Sequence, residues 1–170
     1  ESMSPRFVLP MRAVLFAFAM LFMSTAASAQ DSGKVETFQD WEVRCPEQGA
    51  GACEMTQLVD SPENGKPILR VVMGYPPEVD TAAMVFILPL GTRLAPGVQF
   101  QVDGDQPRRF PFQICLEQGC RADFPVDDAL RNKLRSGTQA TVSLIGPRGD
   151  RIDLKVSLQG FTNADNRIRN

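Results

Sequence analysis

Ile152-Asp153-Leu154-Lys155-Val156-Ser157-Leu158 alternates apolar and polar residues at every step. Successive side chains of a β-strand point to opposite faces, so this stretch reads as a strand with one buried and one solvated side. Immediately before it, Gly146-Pro147-Arg148-Gly149-Asp150 is a turn, and Thr138 to Ile145 is the other arm of a hairpin. The same period recurs upstream. Val98, Phe100 and Val102 alternate with Gln99 and Gln101, Asp103-Gly104 turns the chain, and Phe110, Phe112 and Ile114 alternate on the return to Cys115. Val35 to Cys45 (Trp41 and Val43 on one face), Cys53 to Val59 and Ile68 to Met73 read as further strands, the last two joined through Asn64-Gly65. Ala82 to Leu90 is apolar throughout, which suits a central strand buried on both faces or a short buried helix; the early stop at Pro89 and Gly91 and the strand formers Val85, Phe86 and Ile87 favour the strand.

One helix interrupts the pattern. Asp127 and Asp128 start it, Leu130 and Leu134 share a face, and Gly137 stops it. Acid at its start and base at its end suit the helix dipole. The expected architecture is all-β: an antiparallel sandwich or barrel-like domain over residues 30–163, with one short helix and two local disulfides. The polar residues 164–170 are expected to form a disordered tail.

The N-terminus reads as a cleaved signal peptide over residues 1–29. Arg6 and Arg12 precede an apolar run of eleven residues, Ala13 to Met23, and Ala27-Ser28-Ala29 is a small-x-small cleavage site. A membrane span needs about 20 apolar residues, so this run is too short. No cysteine stands at the cleavage site to carry a lipid. Removing 29 of 170 residues leaves 141, enough for one domain, with 16 basic and 19 acidic side chains. That balance, with no basic run, speaks against a nucleic-acid partner. No further stretch is long enough to span a bilayer, so peripheral envelope association is the expected limit of membrane contact. Histidine is absent, which removes a Ser-His-Asp triad, a Cys-His dyad and a His-ligated zinc site. Carboxylates, lysines and cysteines remain, none at a recognisable catalytic spacing. No catalytic residue, metal ligand or cofactor is assigned.

Four cysteines allow three pairings. The local one, Cys45 with Cys53 and Cys115 with Cys120, closes loops of nine and six residues, each stabilising the fold by about 2–2.5 kcal/mol on chain entropy. A redox pair would want Cys-x-x-Cys at a helix N-terminus, and a four-cysteine zinc site would want tighter knuckles and a reducing compartment. Structural disulfides in an oxidising compartment are the expectation. Arg148-Gly149-Asp150 spells the tripeptide that integrins read and is the one candidate binding motif, although a hairpin turn explains the same residues. Asp103-Gly104-Asp105 has part of a calcium-loop pattern but lacks its closing Glu, so a turn is the better reading. Trp41 reads as core, Tyr75-Pro76-Pro77 as an exposed aromatic loop or a plain connection, and Arg108-Arg109 as a solvated face.

Several stretches together resemble the invasion-associated locus B family of alphaproteobacteria. These are Phe38-Gln39-Asp40-Trp41-Glu42-Val43-Arg44-Cys45 with Cys53-Glu54-Met55-Thr56-Gln57, Phe86-Ile87-Leu88-Pro89-Leu90-Gly91 with Leu94-Ala95-Pro96-Gly97-Val98, Cys115-Leu116-Glu117-Gln118-Gly119-Cys120-Arg121-Ala122, and Leu158-Gln159-Gly160-Phe161-Thr162. The resemblance covers residues 36–163. It implies a secreted or envelope-associated β-sandwich with no established enzyme activity. It also implies an association with host-cell invasion, because the family is named after a member that helps a bacterium enter red blood cells. It supplies no catalytic residues.

The expected function is therefore an exported, non-enzymatic protein of the periplasm or outer surface that binds an unknown protein or cell-surface partner. The alternatives are a periplasmic enzyme using carboxylates such as Glu117, Asp123 or Asp127, and a structural envelope component. Export carries its own test: the intact mass of periplasmic material is expected to begin at Gln30, and a retained N-terminus in the membrane fraction contradicts the reading.

Overall fold

A computed structural model of the chain describes residues 33–47, 51–77 and 79–169. The expected signal peptide over residues 1–29 lies outside them. Eleven strands and two helices follow one another as β1 Lys34–Phe38, β2 Trp41–Cys45, β3 Glu54–Asp60, β4 Pro67–Gly74, β5 Ala82–Leu88, β6 Val98–Val102, β7 Arg108–Phe110, β8 Ile114–Leu116, β9 Gly119–Val126, α1 Asp128–Ser136, β10 Gln139–Ile145, β11 Arg151–Ser157 and α2 Phe161–Arg169. The strands form two antiparallel sheets. One has seven strands in the order β1-β2-β3-β4-β5-β9-β8, and the other four in the order β11-β10-β6-β7. The sheets face each other as a sandwich and do not close into a barrel.

The alternation read from the sequence sets the core. Leu69, Val71 and Met73 of β4 and Ala82, Met84, Phe86 and Leu88 of β5 point inward from the large sheet. Val98, Phe100 and Val102 of β6, Ala140, Val142 and Leu144 of β10, and Leu154 and Val156 of β11 meet them from the small one. Phe86, Phe100, Phe110 and Phe124 form the aromatic centre, with Phe110 stacked on Phe124 at 3.8 Å between centroids. That stack joins β7 to β9 and seals one side of the sandwich. On the other side Gln57 of β3 acts as a substitute strand neighbour for β11. Its Nε2 donates to the Ser157 carbonyl at 3.0 Å, and the Ser157 N–H donates to its Oε1 at 2.9 Å. Trp41 Nε1 donates to the same carbonyl at 3.0 Å.

Several segments depart from the sequence reading. The single strand expected from Val35 to Cys45 breaks at Gln39, which sits at φ 54°, and becomes the β1–β2 hairpin. Asn64-Gly65 does not form a two-residue turn but lies in a longer loop, closed by Ser61 and Lys66. The segment from Phe110 to Ile114 does not continue one strand. Pro111 has no N–H for a ladder, so pairing stops there and the chain crosses from the small sheet to the large one. Ala82 to Leu90 is not buried on both faces, because Ala83, Val85 and Ile87 are only half-buried and Leu90 is exposed.

The largest correction concerns the C-terminus. Residues 164–170 were expected to be disordered, with the domain ending at 163, yet the chain from Phe161 to Arg169 is the helix α2. Phe161, Ala164, Asp165 and Ile168 form its buried stripe at helical spacing. Phe161 packs edge-on against Trp41 at 5.4 Å. Asp165 is fully buried. It accepts from Arg131 Nη2 at 2.6 Å, Arg135 Nη1 at 2.6 Å and the Tyr75 hydroxyl at 3.3 Å. Both arginines come from α1, so one buried carboxylate ties the two helices together. The bond to Asp165 holds the Arg131 guanidinium firmly in its charged form. Burial, with the nearby Asp165 charge, raises the Tyr75 hydroxyl above its ordinary value and keeps it a donor. Asp165→Ala leaves these arginines without their counter-charge. It is expected to lower unfolding free energy by about 3 kcal/mol, read as a drop in urea midpoint. Asp153→Ala, at an exposed Arg151 pair, is expected to change it by less than about 1 kcal/mol.

Candidate recognition face

The two sheets have different outer faces. On the small sheet Arg151 bonds Asp153, Gln99 and Ser143, and Lys155 bonds Thr141, so the polar groups satisfy one another. On the large sheet the outward positions of β2, β3, β4, β5 and β9 form rows across the strands. One row is Glu42, Thr56, Val72, Val85 and Asp123. The next is Leu58, Arg70, Ile87, Arg121 and Ile114. Leu58 is 56% exposed and Ile114 49%. This face carries apolar and charged side chains side by side, and no other described segment lies over Leu58 or Ile114.

Two adjoining concavities mark it. One of about 350 Å³ is lined by Glu42, Arg44, Glu54, Thr56, Leu58 and Arg70 among others. The second, about 300 Å³, shares Glu54 and Val72 with it and reaches Tyr75, Pro76, Pro77 and Arg121. Arg121 is paired with Asp123 at 2.6 Å, which reinforces its charge. The strand pleat explains why these residues face out: each is one step from a core residue such as Val43, Met55, Val71 or Phe86. Interleaved aliphatic, cationic and anionic groups on a broad surface suit recognition of a macromolecule.

The residues singled out in the sequence are dispersed. Cys45 pairs with Cys53, and Cys115 with Cys120, as the local pairing predicted. Arg148, Gly149 and Asp150 lie at the tip of the β10–β11 hairpin. The Arg148 side chain is 81% exposed and sits 3.8 Å from Asp150. The Asp150 carboxylate folds back over Gly146, and its Oδ1 is buried with no hydrogen-bond partner among the described residues. Arg93 bonds the Pro147 carbonyl beneath the tip. Glu117 is at the exposed β8–β9 turn, Asp123 lies midway along β9, and Asp127 caps α1 beyond its far end by accepting from the Leu130 N–H. These three carboxylates do not converge on one cleft. Asp103 accepts from the Thr138 and Gln139 N–H groups, and Asp105 pairs with Lys133, which accounts for Asp103-Gly104-Asp105 as a turn. Trp41 is fully buried. Tyr75 is not an exposed ring; it packs against the core with Arg169 above it. Arg108 pairs with Asp127 and lies over Phe110.

Sequence reasoning missed this candidate face because its residues look like ordinary outward strand positions. The usable signal was Leu58, an apolar residue at a position that alternation assigns to solvent. Among the described residues no three of His, Cys, Asp or Glu are grouped to hold a metal ion, and no helix is long and apolar enough to cross a membrane.

Comparison with known proteins places this geometry. The family model described as "Invasion associated locus B (IalB) protein" matches residues 41–169, from Trp41 through α2. Invasion protein B homologues of two Brucella abortus strains, 2308 and biovar 1 strain 9-941, are each 34% identical to the chain over 162 residues, covering 91% of this chain and 87% of the relative. The crystal structure of invasion associated protein B from Bartonella henselae matches with a TM-score of 0.70 at 20% identity, covering 81% of this chain and 96% of that one. At that identity the likeness speaks for the fold.

A face free of structural duty tolerates change. Leu58→Asp is expected to shift unfolding free energy by no more than about 0.5 kcal/mol, whereas Phe86→Ala in the core is expected to remove about 3–5 kcal/mol; paired urea titrations compare them.

Proposed function

This chain belongs to the invasion associated locus B family, and from that premise we propose that it is an exported, non-enzymatic protein that binds a macromolecular partner. The observation that carries this reading is the outer face of the large sheet, where Leu58 and Ile114 stand exposed among Arg70, Arg121 and Glu54. Apolar anchors among charged groups are what a protein surface offers to another protein. The dispersal of Glu117, Asp123 and Asp127 supports the same reading, since general acid–base work by carboxylates needs them converging in a desolvated pocket. The names carried by the Brucella and Bartonella relatives favour a partner met during contact with a host cell. Peripheral association with the envelope is compatible with such a role. The Arg148-Gly149-Asp150 tip is a secondary candidate, since its charges are turned toward each other.

A photo-crosslinking residue placed at Leu58 or Ile114 is expected to capture a specific partner on intact envelopes or host cells. The same residue at Lys155, on the outer face of the small sheet, is expected to capture none. Leu58→Asp is expected to reduce partner binding by about tenfold or more, equivalent to about 1.4 kcal/mol, while Asp150→Ala leaves it unchanged. Turnover of any substrate by the purified protein, abolished by acid substitutions in one cleft, overturns the reading.

A further inference from the structure

We propose that Cys45–Cys53 is an exchangeable disulfide, opened by an external thiolate that attacks Cys45 and releases Cys53. The charge around the pair is asymmetric. Arg167 of α2 uses Nε and Nη2 to bind Glu36 at 3.1 Å, which leaves Nη1 3.7 Å from the Cys53 Sγ. A guanidinium beside a sulfur stabilises its thiolate, and the sulfur with the more stable thiolate is the better leaving group. Glu36 itself is held ionised, its carboxyl lowered from its ordinary value chiefly by the Arg167 hydrogen bond and then by Lys34. Its negative charge tempers the field at Cys53, while Nη1 of Arg167 is the group that stands next to the sulfur.

The other cysteine borders open space. Cys45 lines a surface concavity of about 210 Å³ together with Gly33, Arg44, Pro46, Ala52 and Glu54. Arg44 attracts an incoming thiolate there, opposed by Glu54, its cross-strand partner. Cys53 also borders open space, on the side of Tyr75 and Pro76, so access alone does not choose the sulfur; the position of Arg167 does. In the second disulfide Cys120 is only 2% exposed inside β9 while Cys115, on edge strand β8, is half-buried as Cys45 is, so the distinguishing feature of Cys45–Cys53 is the guanidinium beside Cys53.

The step balances without an added oxidant. The thiolate sulfur forms a bond to Cys45 Sγ, the Cys45–Cys53 bond breaks, and its electron pair leaves on Cys53 as a thiolate facing Arg167. The products are a mixed disulfide at Cys45 and one thiolate. Attack by that thiolate on the mixed disulfide reverses the step and expels the external thiol.

Glutathione is the probe. Native protein is treated with it at neutral pH, quenched with an alkylating agent and mapped by peptide mass. Glutathione is expected on Cys45 and the alkyl group on Cys53, with Cys115–Cys120 intact. Arg167→Gln is expected to slow opening about threefold or more and to even out the two sulfurs, whereas Glu36→Gln, which removes the tempering charge, is expected to speed it. A purely structural role for the Arg167–Glu36 pair predicts that both substitutions loosen α2 and both accelerate opening, which overturns the proposal. So does glutathione shared equally between the two sulfurs, or found mainly on Cys53, in the unsubstituted protein.

Discussion

The Ser157 carbonyl accepts two hydrogen bonds, from Trp41 Nε1 and from Gln57 Nε2, and they tie the edge of the small sheet to the large one above their shared apolar core. β11 is an edge strand of the small sheet, and the large sheet runs past it without pairing. A fully buried carbonyl left without a donor would cost about 1–3 kcal/mol, and the half-buried Ser157 carbonyl carries part of that penalty. The Gln57 amide supplies donor and acceptor in the spacing of a peptide group, so a side chain does the work of a missing strand. At the far margin no such substitute is needed, because the Phe110–Phe124 stack closes the gap by apolar contact alone. The sandwich is thus polar-zipped on one side and apolar-sealed on the other.

The second constraint is electrostatic and sits at one end of the sandwich. α1 carries Arg131 and Arg135 toward the interior, where isolated charges are unfavourable. Asp165 answers both from α2, and Tyr75 completes its shell. The same short helix places Phe161 on Trp41 and Arg167 beside Glu36 and Cys53. One segment of nine residues therefore touches the core, the interhelical ion cluster and a disulfide.

Much of this was legible in the sequence. Period-two alternation located β4, β6 and β11, the turn from Gly146 to Asp150 placed β10 as the other arm of a hairpin, and the capping aspartates with Leu130 and Leu134 located α1. The local cysteine spacing gave both disulfides. What failed did so for identifiable reasons. α2 was read as tail because its buried stripe contains Asp165, and a charged residue at a core position cannot be recognised until its partners on α1 are known. The strand break at Pro111 is a tertiary matter: the proline shows that pairing stops, not that the chain changes sheets. The candidate face was hidden because strand alternation treats every outward position alike, whatever surrounds it in the folded sheet. Gln57 was equally silent, since a glutamine on the inward face of β3 signals a bond only when β11 is in place.

The order of segments along the chain adds a constraint of a different kind. α2 follows all eleven strands of the described residues, so a ribosome makes it after them. Until it emerges, Arg131 and Arg135 face an end of the sandwich with no counter-charge, and Trp41 lacks the ring that covers it. The contacts that close this end of the sandwich therefore depend on the segment that follows all the described strands in sequence.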